Sequence, residues 1–185
     1  SSNRSAIMEA GAIPPLVKLL GDGLRVESDT PQERAACVLA DLARSGESKV
    51  EIVESDGVTP LVRMPSSTSP RSQTAAAAAL WHLSSNGENT IAIVNAGGIS
   101  RLVALLSVDN PDGQGYAAAA LRLLSTSGEN KTDIIQADGI SPLVQMMGNP
   151  AGTLSPDAIE SAAAVLAELS RTQYVNKLAI VNAGG

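Results

Sequence analysis

The chain has 185 residues, of which 44% are hydrophobic, and it carries a net charge of −6 at pH 7. Its 13 Lys and Arg residues are scattered, so neither nucleic acid nor an anionic membrane surface is favoured as the main partner. The single cysteine, Cys37, excludes an internal disulfide and fits a reducing, intracellular compartment, cytoplasmic or nuclear. No apolar run is long enough to insert directly into a membrane.

In chain order, the first clear pattern is a phrase that recurs four times, and its copies begin at Gly11, Asp56, Gly97 and Asp138. Each copy follows an apolar stretch, and these stretches begin at Ile7, Ile52, Ile93 and Ile134. A fifth stretch begins at Ile180. Repeats of roughly 40 to 46 residues predict a solenoid, whose units bury apolar faces by stacking. We place the repeats at residues 3–47, 48–88, 89–129 and 130–175, with the start of a fifth at 176–185.

The third repeat predicts three helices per unit. Asn89 is expected to cap a short first helix that ends near Gly97. A second helix is predicted from Ser100 to Leu106. A loop from Asp109 to Gly115 then leads to a third helix from about Tyr116 to Ser127.

The other repeats carry the same signals. Caps equivalent to Asn89 are predicted at Asn3, Ser48, Asn130 and Asn176. Thr59 and Ser141, each followed by Pro, are predicted to start second helices. The third helices should bury the pairs Leu39–Leu42, Leu80–Leu83, Leu121–Leu124 and Leu166–Leu169, because residues three apart share a face. Repeats 1 and 4 have about four extra residues, within 21–31 and 148–156.

These residues resemble armadillo repeats over essentially the whole chain. The resemblance lies in three helices per unit, the phrase Ala/Gly-Gly-Ile-x-x-Leu-Val-x-Leu-Leu and the third-helix pattern Ala-Ala-x-x-Leu-x-x-Leu-Ser. Within the family, the segments Gly128–Lys131 and Gly11–Val17 look most like plant U-box and armadillo-only arrays. The resemblance implies an all-α, right-handed superhelical solenoid. In that fold the third helices line a concave groove that binds peptides, helices or partner domains.

One branch of the family is disfavoured by the third helices. Importin-α, the nuclear-import adaptor, uses a Trp and an Asn four residues apart on this helix. The Trp positions are held here by Cys37, Ala78, Ala119 and Ala164. The Asn positions are held by Asp41, His82, Leu123 and Glu168. Neither ladder is present, so a nuclear-transport adaptor is a disfavoured alternative.

The same alignment predicts three columns of groove residues, because positions four apart share a helix face. Two columns are the positions equivalent to the importin Trp and Asn residues. The third column holds Glu33, Thr74, Gly115 and Glu160. Arg122 and Trp81 complete the predicted partner-binding set. The middle column is small, and the outer two carry four carboxylates and no Lys or Arg, although Arg34 and Arg44 lie nearby and offset part of that charge. This predicts a shallow, mildly negative groove for a ligand with basic or apolar residues.

Trp81, His82 and two serines each need a separate interpretation. Trp81, the only Trp, either packs against a neighbouring third helix or contacts a ligand at the groove edge. His82 has no matching second ligand, so we predict no catalytic, metal or cofactor site. Phosphorylation of Ser69 or Ser155, each followed by Pro, is also left open.

The sequence therefore predicts a non-catalytic protein-interaction module. One alternative is a substrate-recruiting segment of a larger multidomain protein, such as a ubiquitin ligase. Another is a self-assembling scaffold. Neither end shows a polar capping repeat, so we expect a fragment of a longer array whose end faces favour end-to-end self-association.

Overall fold

The computed structural model describes residues 2–21, 30–149, 152–171, 177 and 180–184. Those residues form helices joined by turns, with no strand among them, as the all-α prediction requires. The α-helices are α1 Ser2–Glu9, α2 Ile13–Leu20, α3 Pro31–Leu42, α4 Gly46–Glu54, α5 Val58–Arg63, α6 Pro70–Leu83, α7 Gly87–Asn95, α8 Gly98–Leu105, α9 Pro111–Leu124, α10 Gly128–Gln136, α11 Ile140–Met147 and α12 Pro156–Ser170. A single 3₁₀ turn, Met64–Ser66, follows α5.

The chain divides into two compact units, Ser1–Gly98 and Ile99–Gly185. In the first unit, α3 packs against α2 and α6, and α6 also packs against α5 and the 3₁₀ turn. In the second unit, α12 packs against α9 and α11. The third helices of the repeats are thus α3 and α6 in the first unit, and α9 and α12 in the second.

The core of each unit is built from the apolar positions that the repeats share. All eight predicted Leu residues of the third helices are buried, which confirms the buried face. Ile52, Ile93 and Ile134 lose all solvent exposure, whereas their counterpart Ile7 is 38% exposed. At roughly 25 cal/mol per Å² of buried apolar surface, these side chains supply most of the stabilisation of each unit.

A polar cap followed by proline starts every third helix. The cap side chains are those of Thr30, Ser69, Asn110 and Ser155, and each accepts a hydrogen bond from a backbone N–H in the first turn. Proline at the next position has no N–H to leave unsatisfied and has a φ suited to a helix. The predicted start of α9 at Tyr116 is therefore wrong: Asn110 caps the helix, and most of the predicted loop is its first turn.

The first-helix caps predicted for repeats 2 to 4 are also wrong, each by three residues. The caps are Ser45, Asn86 and Ser127. The predicted cap residues lie inside the helices: Ser48, Asn89 and Asn130 are buried, and Asn3 lies within α1. Asn130 instead uses its Nδ2 to donate to the carbonyl oxygen of Leu124 at 2.9 Å.

The break between first and second helices uses left-handed backbone. Asp56 and Asp138 have φ of 59° and 60°, close to the 65° of their counterpart Gly11. Aspartate tolerates this region because its short polar side chain bonds locally. The second helices begin with Gly57 and Gly139 as caps, so Thr59 and Ser141 lie in the first turn and are not caps as predicted.

Some predictions fall outside the described residues. Residues 22–29, which make up most of the extra segment predicted for repeat 1, lie outside. So do residues 150–151 of the segment predicted for repeat 4 and the predicted cap Asn176. The boundaries of the five repeats stay a prediction.

Candidate functional site: the accessible faces of the third helices

Each third helix exposes one continuous face at a spacing of three and four residues. In the predicted middle column, Cys37, Ala78, Ala119 and Ala164 are all half-buried. The flanking positions Asp41, Thr74, His82, Gly115, Leu123, Glu160 and Glu168 are half-buried or exposed. Small side chains along the centre leave the helix backbone within reach of a ligand. We call the two surfaces the α3–α6 face and the α9–α12 face, after the helices that form them.

Glu33 is the exception, because the structure buries it. Its side chain is 3% exposed and accepts hydrogen bonds from the hydroxyls of Ser69 and, at 3.3 Å, Ser72. Arg71 places its Nε 3.8 Å from the same carboxylate. The prediction that Glu33 lines a groove is therefore wrong. A buried carboxylate needs hydrogen-bonding partners, and the first turn of α6 supplies them.

Trp81 and His82 form an aromatic pair near the C-terminal end of α6. Their ring centroids are 4.4 Å apart and the planes are tilted by 32°. Both side chains are half-buried, so part of each ring is accessible. Aromatic surface of this kind supplies contact area at low entropic cost.

Basic groups surround His82. Partial burial lowers its pKa, and the nearby Arg44, Lys49 and Arg4 lower it further, against the opposing effect of Asp41. The imidazole of His82 therefore stays neutral down to a lower pH than that of a free histidine.

The α9–α12 face has a different electrostatic character. Glu160 is 72% exposed and lies 3.4 Å from Nη1 of Arg122. Glu168 pairs with Nζ of Lys131 at 3.0 Å and with Arg171, the residue that directly follows α12. The hydrogen bond from Lys131 is the largest cause of a lowered pKa at Glu168, and the charge of Arg171 adds to it.

Sequence reasoning missed the two cations that pair with Glu168. Lys131 lies on α10, a first helix, and so was absent from columns drawn along third helices alone. The pairing of Arg171 with Glu168 could have been predicted from the sequence, because a spacing of three residues is a standard helical ion-pair spacing. The exposed carboxylates on this face are partly neutralised.

Among the described residues, no group of three or more His, Cys, Asp or Glu side chains is placed to hold a metal ion. None of the described helices is both long and apolar enough to cross a membrane.

The sequence matches the profile of the Armadillo/beta-catenin-like repeat at residues 47–85 and 87–126. A comparison with curated proteins found no match. Neither result tests the likeness to plant U-box arrays, which stays a prediction.

Solved armadillo structures match nearly the whole chain. Computationally designed armadillo repeat proteins for modular peptide recognition align with a TM-score of 0.84 and 27% identity, over 100% of this chain and 75% of theirs. A designed armadillo repeat protein in complex with the peptide (KR)4 aligns with a TM-score of 0.80 and 26% identity, over 99% and 74%.

A natural structure shares the fold. ARO, an armadillo repeats only protein from Plasmodium falciparum, aligns with a TM-score of 0.74 and 19% identity, over 90% of this chain and 76% of its own. The chain thus carries armadillo/β-catenin-like repeats at residues 47–85 and 87–126, and the solved armadillo structures share its fold.

Proposed function

We propose that this chain is a non-catalytic protein-interaction module that binds a peptide, a helix or a partner domain on the accessible faces of its third helices. The observation that carries the proposal is the half-buried column of small residues at the centre of these faces. A ligand backbone can approach closely there, and the flanking polar side chains then select its sequence. The designed relatives support the proposal, since two of them are described as recognising or binding peptides.

The α9–α12 face favours a basic or apolar ligand. Its accessible charged residues are Asp112, Arg122, Asp157, Glu160, Glu168 and Arg171. Carboxylates outnumber guanidinium groups by two to one among them, and Lys131 offsets only part of the excess. Charge complementarity of this kind chiefly sets specificity and association rate. We place the module inside the cell, in cytoplasm or nucleus, consistent with its single cysteine.

A peptide selection tests the proposal. Random peptides displayed on phage are selected against the full chain, and the selected peptides are titrated against variants that fill the central column. Ala78→Trp and Ala164→Trp place an indole on the α3–α6 and α9–α12 faces respectively. The matched control is Ala104→Trp, because Ala104 is exposed on α8, a second helix.

We expect each selected peptide to lose about tenfold or more in affinity for one of the two face variants, since a bulky side chain displaces the ligand backbone. Affinity for Ala104→Trp should change less than about twofold, as for other surface positions outside an interface. Circular dichroism melts establish that each variant is folded. Equal binding to all three variants would show that the third helices are not the binding surface.

A further inference from the structure

The α3–α6 face is basic, although the chain as a whole is acidic with a net charge of −6. Arg34 and Arg44 are exposed on and just after α3, and Arg71 has a side chain that is 68% exposed on α6. The only exposed carboxylate among α3 and α6 positions on this face is that of Asp41. The other carboxylate, Glu33, is internal and occupied by Ser69, Ser72 and Arg71.

Further cations gather where the third helices of this unit end. Arg44, Lys49 and Arg4 all act electrostatically on His82, and they come from three different elements of the unit. Lys49 donates from Nζ to Oγ of Ser85 at 2.6 Å, and that hydroxyl donates to the carbonyl oxygen of His82 at 2.8 Å. This chain of hydrogen bonds holds the ammonium group beside the Trp81–His82 ring pair.

Helix dipoles do not remove the surplus of positive charge. Each helix end carries roughly half an elementary charge, negative at the C-terminus and positive at the N-terminus. The cations lie at the C-terminal ends of α3 and α6, where the two partial charges are negative and offset about one positive charge. Around His82, three cations, Arg44, Lys49 and Arg4, oppose the one carboxylate of Asp41, so a positive surplus remains there.

We propose that the α3–α6 face binds an acidic peptide segment, with carboxylates at Arg44 and Lys49 and an apolar side chain against the accessible edge of Trp81 and His82. This inference rests on the proposed function, and it specifies the chemistry of the ligand for one of the two faces. It differs from the basic ligand expected for the α9–α12 face, because the two faces carry opposite surpluses of charge. A peptide that meets like charges across an interface is rejected, so each face selects a different ligand.

The test uses fluorescence anisotropy on the full chain with two labelled octapeptides, one of alternating Asp and Glu and one of alternating Lys and Arg. The key variants are Arg44→Glu and Arg34→Glu. The matched control is Arg63→Glu, which makes the same change in net charge at an exposed position on α5, a second helix. Titrations at low and at physiological salt measure the electrostatic part of binding.

We expect the acidic octapeptide to bind the parent chain and to lose about fivefold in affinity with either face variant, as a reversed exposed ion pair allows. Arg63→Glu should change its affinity less than about twofold, because the altered charge lies off the face. The proposal is overturned if Arg63→Glu weakens binding as much as the face variants do, or if the acidic octapeptide does not bind. Should peptides from the phage selection still depend on Ala78 in that case, the interaction function stands and only the acidic preference is wrong. If no peptide depends on Ala78 or Ala164, both proposals fail.

Discussion

Replacing Glu33 by Ala should destabilise the first unit more than any exposed charge on the same face. The carboxylate is almost fully buried between α3 and α6 and accepts hydrogen bonds from the hydroxyls of Ser69 and Ser72. Ser69 is also the cap of α6, since its Oγ accepts from the backbone N–H of Ser72 at 3.2 Å. Removing the carboxylate therefore leaves two buried hydroxyls without their acceptor at the point where α6 begins.

The size of the effect follows from those contacts. A hydrogen bond to a charged group contributes about 1.5–3 kcal/mol to stability. The exposed Arg71, 3.8 Å from the carboxylate, adds less than about 1 kcal/mol because water screens it. The hydroxyls recover part of the loss by turning to backbone carbonyls, so we expect a net loss of about 3 kcal/mol in the free energy of unfolding.

Glu160→Ala is the matched control. The alignment of the repeats places Glu160 at the position of Glu33, but its side chain is 72% exposed and forms an ion pair with Nη1 of Arg122 at 3.4 Å. A surface pair of this kind contributes about 0–1 kcal/mol. Glu33→Ala should thus lower the free energy of unfolding by about 2 kcal/mol or more beyond the loss caused by Glu160→Ala.

Urea unfolding monitored by Trp81 fluorescence measures the first unit directly, because Trp81 is the only Trp and lies on α6. Circular dichroism monitors all helices, including those of the second unit. A double-mutant cycle of Glu33→Ala with Ser69→Ala should give a coupling energy of about 1.5 kcal/mol or more, since the two groups are in contact. A coupling near zero, or equal losses for Glu33→Ala and Glu160→Ala, would refute the reasoning.

The remaining predictions concern a close backbone approach and an ion pair. Gly57→Ala should cost about 1–3 kcal/mol, because a Cβ there would lie 2.8 Å from the carbonyl oxygen of Ile52. Gly87→Ala, whose Cβ meets nothing within 4 Å, should be neutral or slightly stabilising in the same denaturation assay, and equal losses would contradict the steric argument. The lowered pKa of Glu168 predicts stability that is present above its ordinary value of 4.5 and is lost as the pH falls through the folded-state pKa. Lys131→Gln should raise that pKa in a carboxyl NMR titration, and an unchanged pKa would mean that Lys131 is not its main cause.

Helix positions were predictable where one periodic signal dominates. The Leu pairs of the third helices occur at a spacing of three in all four repeats, and burial of such a stripe is the largest favourable term in forming the helix. Helix starts were less predictable, because a polar side chain near a start has two possible uses. Asn130 suits a cap by composition, yet its amide bonds to the carbonyl oxygen of Leu124 from inside α10. The residue three positions earlier, Ser127, takes the cap position.

The first turn of α9 shows a second source of error. Pro111 and Gly113 both favour turns, so the segment from Asp109 to Gly115 has the composition of a loop. Proline is nevertheless well suited to the first helical position when a side chain caps the turn before it, as Asn110 does here. Recognition of the polar cap and proline pair in all four repeats corrects this prediction without any structure.

The charge of a binding face could not be read from helix columns alone, and Glu33 and Glu160 show why. Both are glutamates in the same column. Glu33 is buried because the next third helix along the chain, α6, carries the hydroxyls of Ser69 and Ser72 that donate to it. Whether a carboxylate faces a ligand therefore depends on the start of an adjacent helix about 40 residues away in sequence. Removing Glu33 from the accessible charges, and adding Arg34, Arg44 and Arg71, reverses the sign expected for the α3–α6 face while the α9–α12 face keeps its acidic surplus.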